Sequence, residues 1–368
     1  MGKFRRAFGE LRDPRAANAQ YALLEVLFIA LAATICGAQS AAEMALFGRS
    51  REGLLRQYLP LEHGIPSHDT FSRVFRLLDP AAFKHHFGLF MAAFAKANRQ
   101  QLSGVVAVDG KALRRAYERG GQATPLQMVN VFAAETRMAL ATHRAPGRNE
   151  ALGAVEVLDM LSLAGCLVTA DALHCNRAFA AKVLEIGADY VLSLKQNQGK
   201  LYDIVASRFA RKGPRQSAQR LEPATHDRRE WRRATVIRDA SLATSQNFPG
   251  ICALGRITSR RRQLGGEPAD KPVVRYFLLS RYLSPRQLLA AVRSHWSIEN
   301  QLHWMLDVNF NEDGCRARKD NAPENLAILH CLAINIVRTH PDPISMRQKI
   351  KRAAWDPSYL PGIFSHMQ

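Results

Sequence analysis

Three acidic residues stand where a merely structural acid would be a liability. Asp109 closes the apolar run Val105-Val106-Ala107-Val108, and Asp171 closes Cys166-Leu167-Val168-Thr169-Ala170. Glu299 lies in the segment from Ser284 to Leu306, which reads as one helix with Ser284 as N-cap and Pro285 in its first turn. At about 100° per residue, Leu288, Val292, His295, Trp296, Leu302, His303 and Leu306 fall within roughly 60° of Glu299. Its carboxylate is therefore expected on the face the helix buries. A lone buried carboxylate is costly or takes up a proton, whereas carboxylates converging on divalent cations are compensated by the ions. The chemistry to expect is that of a metal-dependent site. Asp307, Glu312 and Asp313 compete for the third position, but Asp307 lies about 80° around the helix from Glu299, off the centre of the face. His174-Cys175 beside Asp171 offers too few soft ligands for a metal site of its own, so local packing is the better reading.

The elements that must position these acids follow from periodicity. Residues 1 to about 100 read as helices only, beginning with the basic Lys3, Arg5 and Arg6. Ser67 is placed to cap a helix from His68 to Leu78, and Asp79-Pro80 reads as a second cap. Short helices around Gly64-Ile65-Pro66, with Arg73 and Arg76 exposed, fit a helix-turn-helix or a plain helical bundle, and both readings stay open. From 104 to 195 the pattern predicts strands over Val105–Val108, Met128–Ala134, Met138–Thr142, Leu167–Ala170 and Tyr190–Leu194, with helices over Ala151–Leu163 and Arg177–Ile186. Three meander strands followed by parallel crossovers make a mixed α/β sheet with helices on its faces. Asp109 and Asp171 meet if the first and fourth strands are neighbours. Beyond residue 200, period-two stretches at Arg232–Ile237 and Val273–Leu279 predict a β-rich insertion. A strong last helix is expected from Pro323 to Arg338, capped by Asn321.

Charge narrows the partner. The 368 residues carry 51 Lys and Arg against 32 Asp and Glu, a formal net charge of +19, which favours a polyanion: nucleic acid first, an anionic membrane surface second. From Arg208 to Arg262, 14 basic residues face the four acids Glu222, Asp227, Glu230 and Asp239. Such a run is usually a solvated face, yet this one concentrates over half the net charge. Trp231, among Arg228, Arg229, Arg232 and Arg233, is the stacking candidate, whereas Trp296 and Trp304 read as core. The apolar run Val26–Gly37 is too short to span a bilayer and lacks signal-peptide flanks, so a core helix and a cytoplasmic protein are expected. The six scattered cysteines form no C-x-x-C pair and read as reduced, packed thiols.

The local words Asp109-Gly110-Lys111, Val168-Thr169-Ala170-Asp171-Ala172, Lys195-Gln196-Asn197-Gln198-Gly199 and the run from His295 to Val308 together resemble bacterial insertion-sequence transposases of the DDE type, in the H-repeat-associated group. The likeness extends from Ile65–Phe71 to Ala354-Trp355-Asp356. It implies a ribonuclease H-like mixed sheet with flanking helices, a β-rich basic insertion before the last catalytic helix, and an all-helical N-terminal domain. The expected parts are 1–100 for recognition of DNA ends, 101–200 for the first part of the catalytic core, 201–283 for the insertion, 284–340 for the Glu299 helix and its successor, and 341–368 for a basic tail.

By that resemblance Asp109, Asp171 and Glu299 form a catalytic triad that binds two Mg²⁺ or Mn²⁺ ions. The implied partners are double-stranded DNA, as the element's terminal inverted repeats and as target, and a second copy of the chain once DNA is bound. No membrane is implied. Related transposases carry Arg four residues before the helix glutamate and Lys seven after it, within a signature opened by Tyr. Here those positions hold His295, Leu306 and Val292. His295 and Arg293 are therefore candidates for contact with the scissile phosphate, and His303 for the role of the lysine. Lys111, Arg73, Arg76 and the arginine-rich run complete the expected DNA contacts. The rivals are a ribonuclease H-like structure-selective nuclease, which cuts without joining, and an inactive DNA-binding remnant.

Overall fold

A computed structural model describes residues 2–97, 103–117, 124–211, 216–222, 228–263 and 271–365. Of the basic stretch, residues 212–215 and 223–227, Asp227 included, lie outside that set. Among the described residues, nine strands form one mixed sheet: β1 (Val105–Leu113), β2 (Leu126–Ala133), β3 (Met138–Arg144), β4 (Leu167–Ala170), β5 (Asp189–Leu194), β6 (Gln216–Leu221), β7 (Arg228–Arg238), β8 (Ala253–Gln263) and β9 (Val273–Leu279), in the order β3-β2-β1-β4-β5-β9-β8-β7-β6. β1, β2 and β3 are antiparallel neighbours, and β1, β4 and β5 run parallel. The expected adjacency of the first and fourth strands is present, with Val108 opposite Ala170.

Two features differ from the sequence reading. β1 does not close at Asp109. It continues to Leu113 because β2 stays paired with it from Gly110↔Val129 to Leu113↔Leu126, so Asp109 sits inside a strand. The β-rich stretch also does not stand apart: β9 pairs antiparallel with β5, from Val191↔Leu279 to Leu194↔Tyr276, and β8, β7 and β6 extend the same sheet.

Alternation along β1 assigns the two faces. Val106 and Val108 join a core with Ala154, Val157, Phe179 and Val183, from the helices Glu150–Asp159 and Arg177–Glu185. Ala107 points the other way, into the core that holds Ile298, Leu302 and Leu306. That second core also contains the N-terminal helices. The helix Leu23–Ile35 lies at its centre with Val26 to Ala33 buried, as the short apolar run suggests. The helix Ala322–Thr339 ties the parts together: Asn325 Nδ2 donates to the carbonyls of Phe75 and Leu78, and Asn335 exchanges hydrogen bonds with the backbone of Ala139 on β3. Asn321 occupies the N-cap position but does not cap with its side chain, whose Nδ2 donates to Leu78 O instead. The first 97 residues thus share a core with the C-terminal helices. The cysteines among these elements are free thiols, and no helix of the described residues is long and apolar enough to cross a membrane.

Candidate active site

Asp109 and Asp171 lie side by side because β1 and β4 are parallel neighbours in register, Asp171 being the first residue past β4. Glu299 comes from across the sheet face. The helix Pro285–His295 starts at Ser284, the N-cap the sequence suggests, which forms a capping box with Gln287, and buries Leu288 and Val292 against the sheet. It leads into a π turn, Glu299–His303, before the helix Trp304–Phe310. Such bulges recur at functional sites because they re-aim side chains without ending the helix. Here Ile298, Leu302 and Leu306 take the core, and Glu299 is left exposed at the rim, not buried as a straight wheel predicts. Trp296 and Trp304 are likewise exposed (44% and 53%), contrary to their reading as core.

The three acids line one cavity of about 300 Å³, together with Thr169, Ser193, Lys195, Arg275, His295 and Trp296. Asp109, Glu299 and His303 each offer a ligand atom within 4.8 Å of the others, and Asp171 lines the same cavity. Burial, then the charges of Asp171, Glu150 and Glu299, push the Asp109 carboxyl up to about 7. Asp171 is oriented by the backbone N–H groups of Leu173 and His174, which donate to its Oδ1. His303 Nδ1 lies 3.8 Å from Asp109 Oδ2, and its Nε2 is 3.2 Å from Asn130 Nδ2. With the Asn130 amide donating, the ring proton faces Asp109; turning that amide frees Nδ1 to act as a ligand. Burial, with Lys111 and His295 nearby, pushes His303 down to about 3. His295 is pushed down to about 4, chiefly by burial, and its Nδ1 meets Thr169 Oγ1 at 3.1 Å. Burial thus holds the His295 ring toward its neutral form.

Other expected contacts are occupied elsewhere. Lys111 is buried with its Nζ 2.7 Å from Asp307, 3.2 Å from Asp313 and 3.8 Å from Glu312, so its charge is turned toward these acids. It shares a face of β1 with Asp109, two residues on, and the segment after Glu299 folds over it. The same bonds engage all three acids that competed with Glu299. Arg293 pairs with Glu222 at 2.7 Å, and Arg76 with Asp320 at 2.7 Å, while Arg73 is exposed. On β7, Arg232 binds Glu230 and lines a cleft with Arg220, Arg261, Arg275, Arg293 and Trp296. Arg229, Trp231 and Arg233 are exposed outside that cleft; for Arg228 only the strand backbone is described.

Three site residues escape the sequence reading. Lys195 follows β5 at the same sheet edge as Asp171, a signal available in the strand pattern. Arg275 reaches the cavity only because β9 pairs with β5. Glu150, the first residue of its helix, has Oε2 2.6 Å from Gln127 Nε2 and Oε1 3.2 Å from the fully buried His174. Its carboxyl lies so close over Gly110 that a Cβ there would meet it at 2.1 Å, which explains the glycine beside Asp109.

Two adjacent strands and a helical turn that present converging carboxylates define a class of acidic site suited to divalent cations. The family follows from sequence comparison: a model described as "Transposase DDE domain" matches residues 100–336, and its associated model matches residues 5–91. The chain belongs to the DDE transposase domain family. It is 30% identical over 361 residues to YbfL of Escherichia coli (strain K12), covering 95% of this chain and 94% of that protein. It is 29% identical over 356 residues to YhhI of the same strain, whose name places it with H-repeat-associated transposases, covering 94% and 93%. Among solved structures, a piggyBac transposase synaptic complex with hairpin DNA aligns with 99% of this chain and 76% of that chain, at 14% identity and a TM-score of 0.46.

Proposed function

We propose that the chain is a DNA transposase that cleaves phosphodiester bonds at the ends of its element and joins the freed 3′-hydroxyls to target DNA. The observation that carries the reading is the convergence of Asp109, Asp171 and Glu299 on one cavity, with the rival acids Asp307, Glu312 and Asp313 engaged by Lys111. The order β3-β2-β1-β4-β5, an antiparallel meander followed by strands parallel to β1, supports a ribonuclease H-like core within the larger sheet.

The donor set fits Mg²⁺ or Mn²⁺. Carboxylate oxygens suit hard cations and leave coordination positions for water and phosphate. The burial that raises Asp109, with the crowding of Asp171, Glu150 and Glu299 added to it, is what acids show when their countercharge is a ligand. Asp109, Asp171 and Glu299, with His303 at hand, would hold two divalent ions, which would supply activation of the attacking hydroxyl and stabilisation of the departing oxygen. The protein's own side chains orient the duplex: Lys195 and Arg275 face the phosphates from the cavity wall, and neutral His295 offers a hydrogen bond without charge. No protein nucleophile is needed. Double-stranded DNA is the partner, bound by a dimer.

The test is metal-dependent strand joining of an oligonucleotide carrying the element's own terminal repeat. Joining is expected with wild type and absent, with DNA binding retained, for Asp109→Ala, Asp171→Ala and Glu299→Ala. Cutting without joining would make the protein a nuclease, and binding alone a remnant. Strand transfer by Glu299→Ala would move the third ligand to His303.

A further inference from the structure

Beyond the end of β1, a groove of about 1230 Å³ opens between the helix His68–Leu77 and the segment 316–324. Seven cationic side chains and two carboxylates line it. Both carboxylates are already neutralised, Asp320 by Arg76 at 2.7 Å and Glu324 by Lys84 at 3.0 Å. Arg115, Arg144, Arg148, Arg316 and Lys319 have no acidic partner among the described residues. Unpaired like charges repel, so a fold that gathers five on one wall is complete only with a polyanion. Their spread over three chain segments exceeds what one phosphate or mononucleotide can neutralise, whereas a DNA strand presents a charge at every step.

The groove also has a fixed relation to the catalytic acids. β1 carries Asp109 and runs on to Leu113; at about 3.3 Å per residue that end lies about 13 Å away, and Arg115 is two residues further. Arg148, also in the lining, stands two residues before Glu150, whose carboxyl covers Gly110. Arg148 and Asp320 both hold left-handed backbone (φ 65° and 53°), so the loops bearing them are committed to their shape.

We infer that this groove grips the sugar–phosphate backbone of the duplex about four to six base pairs from the phosphate being cut, at about 3.4 Å per step. The inference rests on the DNA reading above and adds a place to it. Ser72 and Arg76 on the groove wall bring the helix His68–Leu77 onto that same duplex.

The experiment uses the full chain in chelator, a short fluorescent duplex of arbitrary sequence, and anisotropy across a KCl series. A triple variant, Arg115→Ala with Arg148→Ala and Arg316→Ala, is expected to flatten the slope of log affinity against log salt by about 0.9 for each arginine. The corresponding triple Arg→Lys variant keeps the wild-type slope. On a second duplex carrying the element's own terminal repeat, a photo-crosslinker at position 72 should capture the strand about four to six base pairs from the expected cut site. An unchanged slope in a triple Ala variant that still binds duplex in chelator, and cuts the terminal-repeat duplex once Mg²⁺ is added, overturns the groove and spares the transposase reading. A wild-type protein that neither binds nor cuts duplex DNA overturns both. Preference for polyglutamate over duplex assigns the groove to an acidic protein and overturns the inference.

Discussion

Asp109 carries a proton in the metal-free fold at pH values where the unfolded chain has lost it, because burial and then Asp171, Glu150 and Glu299 raise it from 3.8 to about 7. In that window the native state binds more protons than the unfolded state, so stability falls as pH rises through it. A tenfold difference in proton affinity is worth about 1.4 kcal/mol, which bounds the effect at a few such steps. Asp109→Asn is expected to remove the loss: in chelator its Tm exceeds that of wild type at mildly alkaline pH, and the two converge in acid. Added Mg²⁺ reverses the order, since wild type gains ligand-linked stability that the variant lacks. Parallel pH profiles of Tm for the two proteins would refute the assignment. Asp307 behaves differently. Its nearest bond is to Lys111 and its side chain is about a third exposed, so solvent screens the pair. Asp307→Ala should retain strand joining and lose about 1 kcal/mol in urea denaturation, because Asp313 and Glu312 still face the lysine.

At the scale of elements, the arginine-rich strand β7 divides by alternation. Arg232 turns into the cleft with Arg261 and Arg293, while Arg229 and Arg233 lie outside it. Neutralising Arg232 and Arg261 is therefore expected to weaken binding to any duplex and to flatten its salt slope by about 0.9 for each phosphate no longer neutralised. Neutralising Arg229 and Arg233 should leave the slope near wild type. Equal slopes for both pairs would return the whole strand to the role of a solvated face. The Glu299 segment shows the other side of element-scale reasoning. The N-cap at Ser284 is a local signal and is legible in the sequence. The π turn at Glu299–His303 is not, because it lies where the segment passes from the core that takes Leu288 and Val292 to the one that takes Ile298 and Leu302.

At the scale of the molecule, the N-terminal helices are not a separable unit. Phe28 is fully buried and meets Phe4 at a ring separation of 5.5 Å and Phe364 at 5.0 Å, so the two ends of the chain share its ring. A fragment of the first hundred residues lacks Phe364 and the helix Ala322–Thr339, and is expected to show no cooperative unfolding by circular dichroism. Recognition of DNA ends by these helices is therefore to be tested in the full chain. Phe28→Ala should cost about 3–5 kcal/mol and lower one shared transition. Two separate transitions in calorimetry would restore a two-domain view.

Local pattern determined a great deal here. The strand runs of the first five strands, the Ser67 and Ser284 caps and the order of strands and helices follow from periodicity and short-range hydrogen bonding, which need no knowledge of distant residues. Asp109 and Asp171 were legible as acids ending apolar runs. The tertiary structure alone decided what lies beside them. Glu150 over Gly110, Arg275 on the cavity wall and the bonds that bury Lys111 among three acids all join residues far apart in the chain. Such contacts depend on which strands neighbour one another and on how a helix is bent to fit two cores, and periodicity within one segment carries neither.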